Sequence, residues 1–283
     1  MSAAEKLVLP SEDLAKIRDL IYKETGMLFE SKKDYFLTTR IEQRMNILKC
    51  EGFREYYHLL VFATGREELA HFVEAVTINE TYFFRDFPQL QGFAESVLPA
   101  YADRKIAKGG DSVSIWCAAT STGEEAYTLS IILQEVFDEN PSLKLRVDAT
   151  DIDRQVLKTA QAGLYGERSM KDTPIPYRQK YFKKSLDGWQ VQKNASELVS
   201  FKQLNLVDRA EMRKMKGYDF IFCRNVLIYF DDESRKKVVS ALYDALVPGG
   251  YLFLGHSESV GRISAAFELE RINGFLCYKK PGV

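Results

Sequence analysis

The stretch from Val113 to Leu133 constrains the fold more than any other part of the chain. Val113 to Cys117 is a short β-branched and aromatic run that reads as a buried strand. A loop of small residues follows, Ala118 to Gly123. From Glu124 onward Ala126, Leu129, Ile132 and Leu133 take helical spacing. Glu124 and Glu125 fall in the first helical turn, where carboxylates favour the positive end of the helix dipole. Strand, small-residue turn and helix is the unit with which an open parallel sheet receives an adenosine-bearing ligand. A second strand is predicted over Lys144 to Ala149. It ends at Thr150-Asp151-Ile152-Asp153, where a carboxylate can take ribose hydroxyls.

The loop is not a phosphate cradle. It holds one glycine, Gly123, whereas a dinucleotide fingerprint needs several so that the backbone can approach a pyrophosphate. Glu124 and Glu125 would repel phosphate but suit a cation. S-adenosylmethionine carries both a sulfonium and an ammonium. An ordinary βα turn with capping glutamates is the competing reading of the same residues.

Composition narrows the class. With 283 residues, 46% of them hydrophobic and 28% charged, the chain can form one large or two modest soluble domains. A net charge of −1 argues against broad binding of nucleic acid. No apolar run approaches transmembrane length, and Met1-Ser-Ala-Ala-Glu-Lys6 lacks a signal-peptide core, so a cytoplasmic protein without membrane insertion is expected. The cysteines at 50, 117, 223 and 277 show no metal-ligand spacing. Cys117 and Cys223 lie in apolar runs and read as buried free thiols.

The first part of the chain reads as a small helical bundle. Ser11 is the expected N-cap of a helix carrying Leu14, Ile17 and Ile21. Ser31 starts a second, with Leu37, Ile41, Met45 and Leu48 inward, and Gly52 ends it. Lys33, Arg40 and Arg44 form a basic stripe beside that apolar one, which alone could be a solvated face. Two more helices are predicted, Phe53 to Ala63 and Arg66 to Ile78, before a polar and aromatic segment, Thr77 to Asp86. Within it Asn79, Thr81 and Arg85 are spaced like contacts on a loop, with Tyr82, Phe83 and Phe84 as anchors. Phe87 to Ile106 reads as one helix.

After Asp153 a helix is predicted over Arg154 to Ala162. Residues 163 to about 203 then alternate in short pieces, such as Gly188 to Gln192 and Leu198 to Phe201, which suggest small antiparallel strands inserted into the sheet. Tyr218 to Cys223 and Tyr251 to Leu254 read as buried strands, with a helix from Asp232 between them that stops at Pro248-Gly-Gly250. The end of the chain, around Asn273-Gly274, reads as a hairpin.

Five motifs occur in order: Asn79-Glu-Thr-Tyr-Phe-Phe-Arg85, Ala119-Thr-Ser-Thr-Gly-Glu-Glu125, Thr150-Asp-Ile-Asp153, Cys223-Arg-Asn-Val-Leu-Ile-Tyr-Phe230 and Gly255-His-Ser-Glu258. In these the sequence resembles the bacterial chemotaxis receptor methyltransferases, the CheR family, over nearly its whole length. The resemblance implies an α/β fold: an N-terminal helical receptor-recognition domain over 1–88, and a Rossmann-like class I S-adenosylmethionine-dependent methyltransferase domain over 89–283. A small antiparallel β-subdomain is expected as an insert at about 165–203. The implied activity is protein-glutamate O-methylation on the cytoplasmic helices of chemotaxis receptors, giving γ-methyl esters and S-adenosylhomocysteine.

Carried over by motif, the cofactor contacts would be Asn79, Thr81, Arg85, Glu125, Asp151, Asn205, Leu206, Arg224 and Asn225. Asp151 would meet the ribose, and Asn205 and Leu206 would border the adenine. Arg85 and Tyr229 would lie nearest the reacting centre. Lys33, Arg40 and Arg44 match the receptor-binding face. A carboxylate acceptor is already ionised at neutral pH. His256 is therefore expected to serve the turn rather than act as a base, and no metal is expected. Some family members dock through the inserted subdomain on a pentapeptide at the receptor C-terminus, using a longer, glycine-containing loop. Tyr181 to Gln190 is shorter here, so pentapeptide independence is expected. Two other classes compete. A methyltransferase of small molecules or nucleic acid is disfavoured by the near-neutral charge and the separate helical domain. A non-catalytic adenosyl-ligand sensor is disfavoured by the presence of Arg85 and Tyr229.

Overall fold

Helical periodicity near the N-terminus becomes four helices. Helix α1 (Ser11–Thr25) buries Leu14, Ile17 and Ile21 and ends at Gly26, whose φ of 72° lets its N–H return to Tyr22 O. Ser11 is the first helical residue rather than the cap; Pro10 stands at the N-cap and its carbonyl accepts from Asp13 and Leu14. The second helix also starts later than expected, because Ser31–Lys33 forms a single 3₁₀ turn. Helix α2 (Asp34–Leu48) then buries Leu37, Ile41 and Met45, and it stops at left-handed Lys49 rather than at Gly52. Helices α3 (Phe53–Val61) and α4 (Arg66–Val76) complete the set. Ile17, Ile21, Leu37, Ile41, Tyr56, Leu60, Phe72 and Val76 share one apolar core. Full burial of each aliphatic or aromatic side chain contributes about 1.5–3 kcal/mol.

The structure, a computed structural model, describes residues 7–62, 66–140, 142–261 and 264–282; Ala63, the expected end of the third helix, lies outside them. Two compact units result. One runs to Ile78 and takes in Tyr229–Ser234, and the other comprises Asn79–Ile228 and the chain from Arg235. Within the first unit, Tyr229 O accepts from Leu28 N, Phe230 bridges Met27, and Asp231 accepts from the Tyr22 hydroxyl at 2.9 Å.

The second unit opens with α5 (Phe87–Gly92), a π-helical turn over Phe93–Val97, and α6 (Leu98–Ala107), where one regular helix was expected. Pro99 offers no N–H to the turn before it, and the helix widens there. Then follow β1 (Ser112–Ala118), α7 (Glu124–Phe137), β2 (Lys144–Asp151), α8 (Arg154–Ala162), β3 (Leu164–Tyr165), α9 (Ile175–Tyr181), β4 (Phe182–Ser185), β5 (Gly188–Val191), α10 (Lys193–Ser196), β6 (Val199–Gln203), α11 (Arg209–Met212), β7 (Tyr218–Cys223), α12 (Asp232–Ala245), β8 (Leu246–Leu254), β9 (Glu268–Ile272) and β10 (Phe275–Lys279).

The main sheet has the order β6-β2-β1-β7-β8-β10-β9. Its first five strands are mutually parallel, and β10 runs antiparallel to both of its neighbours. The terminal hairpin turns at Asn273 and Gly274, both at positive φ. A separate small sheet, β3-β5-β4, is antiparallel throughout and forms the inserted subdomain. Leu198 to Phe201 does not belong to it. That piece falls in β6, which pairs parallel to β2 from Val199 through Gln203 and completes the main sheet. Its alternation reflects an edge strand with one covered face, a pattern that an inserted strand shares. Phe93 locks the helical face to the sheet, its ring edge-on to Phe220, Phe222 and Phe253 at 5.1–5.3 Å.

Candidate active site

The carboxyl ends of the parallel strands face one edge of the second unit, and the order reverses around β1, so the crevice between the β1 and β7 loops is the expected ligand position. The loop after β1 is wound tightly. Ala119, Ser121 and Gly123 all have positive φ (59°, 54° and 94°). At Gly123 a Cβ would stand 2.8 Å from the Ala160 Cβ, so only glycine fits. The winding turns Ser121 N–H onto Asp151 Oδ2 at 2.8 Å, while Asp151 Oδ1 accepts from Asp153 N at 3.0 Å. Burial pushes the Asp151 carboxyl up to about 6, against the lowering effect of these backbone donors.

The two aspartates of the β2 motif thus divide their duties. Asp153 is the N-cap of α8, accepting from Gln155 and Val156 N–H groups, and its other oxygen takes Asn79 Nδ2 at 3.1 Å. Asn79 Oδ1 is also 3.5 Å from Ser121 Oγ, so the Asn79 loop is tied to both the β1 and β2 loops. Leu204 N–H donates to Asp151 O, which sets Asn205 and buried Leu206 directly beside Asp151 in the chain path. Asn205 Oδ1 accepts from Val207 N.

The neighbouring glutamates also part. Glu124 is buried, accepts from Thr122 and Ser169 hydroxyls, and is pushed up by burial, so it serves the turn rather than a cationic ligand. Glu125 faces Arg224, which donates through Nη1 at 2.7 Å. Arg224 follows β7 and is buried. Its Nη2 donates to Asp86 Oδ2 at 2.6 Å and to Arg85 O at 2.9 Å, while its Nε has no partner among the described residues. Burial opposes its charge, but Glu125 and Asp86 prevail and hold the guanidinium above its ordinary pKa. Asn225 sits at a φ of 58° and its N–H donates to Glu258 Oε2 at 2.7 Å.

The Asn79–Arg85 loop is anchored by Phe83, edge-on to Tyr165 and Phe182 at 4.8 Å, and by Phe84 on Tyr177 at 5.3 Å. Tyr82, the third expected anchor, is only half-buried, as are Thr81 and Arg85. Arg85 Nη1 donates to Glu80 O at 2.7 Å. Asn79, Arg85, Glu125, Asp151, Arg224 and Asn225 therefore belong to linked loops on one edge, with Asn205 and Leu206 adjoining. Tyr229 belongs to the helical unit, where Lys33 Nζ lies 5.9 Å from its ring centroid. Also there, Arg40 packs over Phe36 at 4.9 Å, and Arg44 forms a two-pronged ion pair with buried Glu68, which also accepts from Tyr56. His256 is exposed in the turn after β8.

Sequence reasoning gave no role to Glu258 or Asp86. Glu258 accepts backbone N–H groups from Asn225, Leu227 and Gly255, each at 2.7 Å, and so fixes the β7 loop. Its place in the Gly255-His-Ser-Glu258 motif was the available signal. A Cβ at Gly255 would come within 2.8 Å of Asn225 Nδ2 and 2.7 Å of Glu258 Oε2. Among the described residues no cluster of His, Cys, Asp or Glu could hold a metal ion, and no helix is long and apolar enough to cross a membrane.

Comparison with known proteins decides the family. Residues 12–77 match the all-alpha domain of CheR methyltransferases, and residues 79–275 match their S-adenosylmethionine-binding domain. The chain belongs to the CheR methyltransferase family. Chemotaxis protein methyltransferase 2 of Vibrio cholerae is 40% identical over 98% of this chain and 95% of its own length. The chemotaxis protein methyltransferase of Klebsiella aerogenes is 34% identical over 94% and 89%, and that of Borreliella burgdorferi 30% over 89% and 89%. The CheR site fits its cofactor on structural grounds as well. A buried guanidinium with one orphaned N–H would gain a partner, and each Asp151 oxygen, with one backbone donor from Ser121 or Asp153, has acceptor capacity left for a ligand hydroxyl.

Proposed function

We propose that this protein is a cytoplasmic protein-glutamate O-methyltransferase of chemotaxis receptors. The carrying observation is 40% identity over 98% of the chain to a chemotaxis protein methyltransferase. In this reading Asp151 holds the ribose, Asn205 and Leu206 border the adenine, and Asn79, Thr81, Arg85, Glu125, Arg224 and Asn225 line the rest of the cofactor. Bound S-adenosylmethionine supplies an electrophilic methyl group on a sulfonium, whose transfer to a carboxylate neutralises two opposite charges.

The chain's own task is alignment. A glutamate acceptor is ionised at neutral pH, so the residues need to orient it and exclude water rather than remove a proton. Arg85 and Tyr229 are assigned to the reacting centre. Lys33 and Arg40 are assigned to the acidic receptor helices. Arg44 belongs to the same stripe, but its pairing with Glu68 leaves it less charge to offer. The β4–β5 hairpin turns through two residues, Leu186 and Asp187, between paired Ser185 and Gly188, which supports recognition without a pentapeptide tether.

The test is methyl transfer from labelled S-adenosylmethionine to receptor-containing membranes. Release of label as methanol by mild base is expected, as is an unchanged rate with receptors lacking their last residues. Label that resists base would refute the glutamate ester. A rate that collapses on receptor truncation would refute independence from the tether.

A further inference from the structure

A turn outside the family motifs brings a second cation to the Asn79–Arg85 loop. Residues 166–173 fold on themselves through Ser169 N to Gly166 O, Met170 N to Glu167 O and Thr173 N to Met170 O, with Met170 fully buried. Two bonds fix this turn to the site. Phe83 N–H donates to Ser169 O at 3.0 Å, and Ser169 Oγ donates to Glu124 Oε1 at 2.9 Å, in the first turn of α7. The next exposed side chain is Lys171. Its Nζ lies 3.6 Å from the Tyr82 ring centroid, and the Arg85 guanidinium lies 5.7 Å from the same ring.

We propose that Lys171, held on Tyr82 beside Arg85, positions the acceptor carboxylate for methyl transfer. The proposal rests on the carboxylate-acceptor reading above. Arg85 connects the two regions: its carbonyl accepts from buried Arg224, while its side chain turns to the Tyr82 face. Neither Lys171 nor Arg85 has a carboxylate within ion-pair reach among the described residues. Of the acids close by in the chain, Glu80 is exposed and 3.5 Å from Arg168, Asp86 pairs with Arg224, Glu167 is 3.6 Å from Lys184, and Asp172 is exposed. The Tyr82 ring therefore carries two cations, neither of them paired to a carboxylate among the described residues. An aromatic face attracts an ammonium without neutralising it, so Lys171 is held in place yet available to an incoming anion. Its flexible stem and compact charge suit an acceptor that must leave as a neutral ester, since that product no longer attracts it.

The experiment compares full-length wild type with K171Q, K171R and K171E. Initial rates of base-labile methylation are measured against receptor concentration, alongside calorimetric titration with S-adenosylhomocysteine and thermal melting. K171Q is expected to raise the receptor KM about two- to fivefold, as for loss of one exposed charge contact, with kcat changed less. K171R is expected to restore it, and K171E to raise it further, most at low salt. Affinity for S-adenosylhomocysteine stays at the wild-type value in all three. A wild-type KM in K171Q overturns the proposal. So does a parallel loss of S-adenosylhomocysteine affinity, which would place Lys171 on the cofactor, or a K171R as impaired as K171Q. A wild type that releases no base-labile label instead removes the carboxylate-acceptor reading itself.

Discussion

The two ends of β7 carry buried charges of opposite sign in very different states. Near its start, Asp219 is wholly buried and accepts from Ser114 N–H, the Ser114 and Tyr101 hydroxyls and the Lys105 ammonium, between 2.5 and 3.1 Å. Just past its end, Arg224 is also buried but, among the described residues, keeps one N–H without a partner, and the loops around it hold Ala119, Ser121, Phe84, Asp86 and Asn225 at positive φ. Backbone strain of this kind costs of order 1–3 kcal/mol per residue and persists where function maintains it. The satisfied end ties α6 to the sheet. In the proposed function, the incomplete and strained end is the one that the cofactor completes.

Charge removal at the two ends should sharpen this contrast. The largest effect is expected at Arg224. Arg224→Ala leaves Glu125 and Asp86 facing each other without their shared cation, which should destabilise the fold by about 3 kcal/mol or more and abolish S-adenosylhomocysteine binding. Asp219→Ala strands the Ser114 N–H and the Tyr101 hydroxyl, and should lower stability by about 3 kcal/mol. Its folded fraction should still bind S-adenosylhomocysteine with unchanged affinity. Thermal melting and calorimetry on both variants decide the matter. Equal loss of affinity at both ends would erase the distinction.

Asp151→Ala comes next in size. Losing the acceptor of the Ser121 N–H and of the proposed ribose hydroxyls should weaken S-adenosylhomocysteine binding by roughly 1–3 kcal/mol, read by calorimetry. Unlike Arg224, Asp151 has no ion-pair partner among the described residues to leave exposed, so the melting temperature should fall less than in Arg224→Ala. A variant that loses stability and keeps its affinity would move Asp151 to the structural side of the comparison.

Much of this edge was legible because burial writes itself into composition. Val113 to Cys117 and Tyr218 to Cys223 are apolar runs, each interrupted by one polar residue, Ser114 and Asp219, that bonds to the other, and both are central strands covered on two faces. The hairpin at Asn273-Gly274 declared itself through the residues a tight turn demands. Direction was harder to read than position. Glu124 and Glu125 are adjacent and chemically alike, yet one is buried under Ser169 and the other meets Arg224, because the helix sends neighbours about 100° apart. Arg44 sits in the apparent basic stripe, but its charge is consumed by Glu68 from another helix, a pairing that no local pattern encodes. Glu258 was quoted in a motif without a task, since three backbone donors converge on it only after folding. Leu198 to Phe201 alternates as a small inserted strand would, and its partner β2 is distant in sequence.

The smallest expected effect separates Asp151's contribution to stability from its contribution to binding by pH alone. Burial pushes its carboxyl up to about 6 in the folded protein, against about 3.9 in an unfolded chain. The folded state therefore holds this proton more tightly. The stability it contributes is fully present below pH 4 and is lost as pH rises through about 6. Binding should follow the opposite sign, because ribose hydroxyls donate to the ionised carboxylate and find fewer acceptor sites on the protonated acid. Lowering the pH from 7.5 to about 5 should thus weaken S-adenosylhomocysteine binding by about 1 kcal/mol, the cost of first removing a proton from a group one unit above the ambient pH. Calorimetry across that range in buffers of different ionisation enthalpy should show proton release on binding near pH 5 and none near pH 8. Arg224→Ala cannot serve as the control, since it removes the site. Asp219→Ala can, and it should keep the same pH dependence with a lower melting temperature. A pH-independent affinity would show that the ribose does not rely on the charge of Asp151.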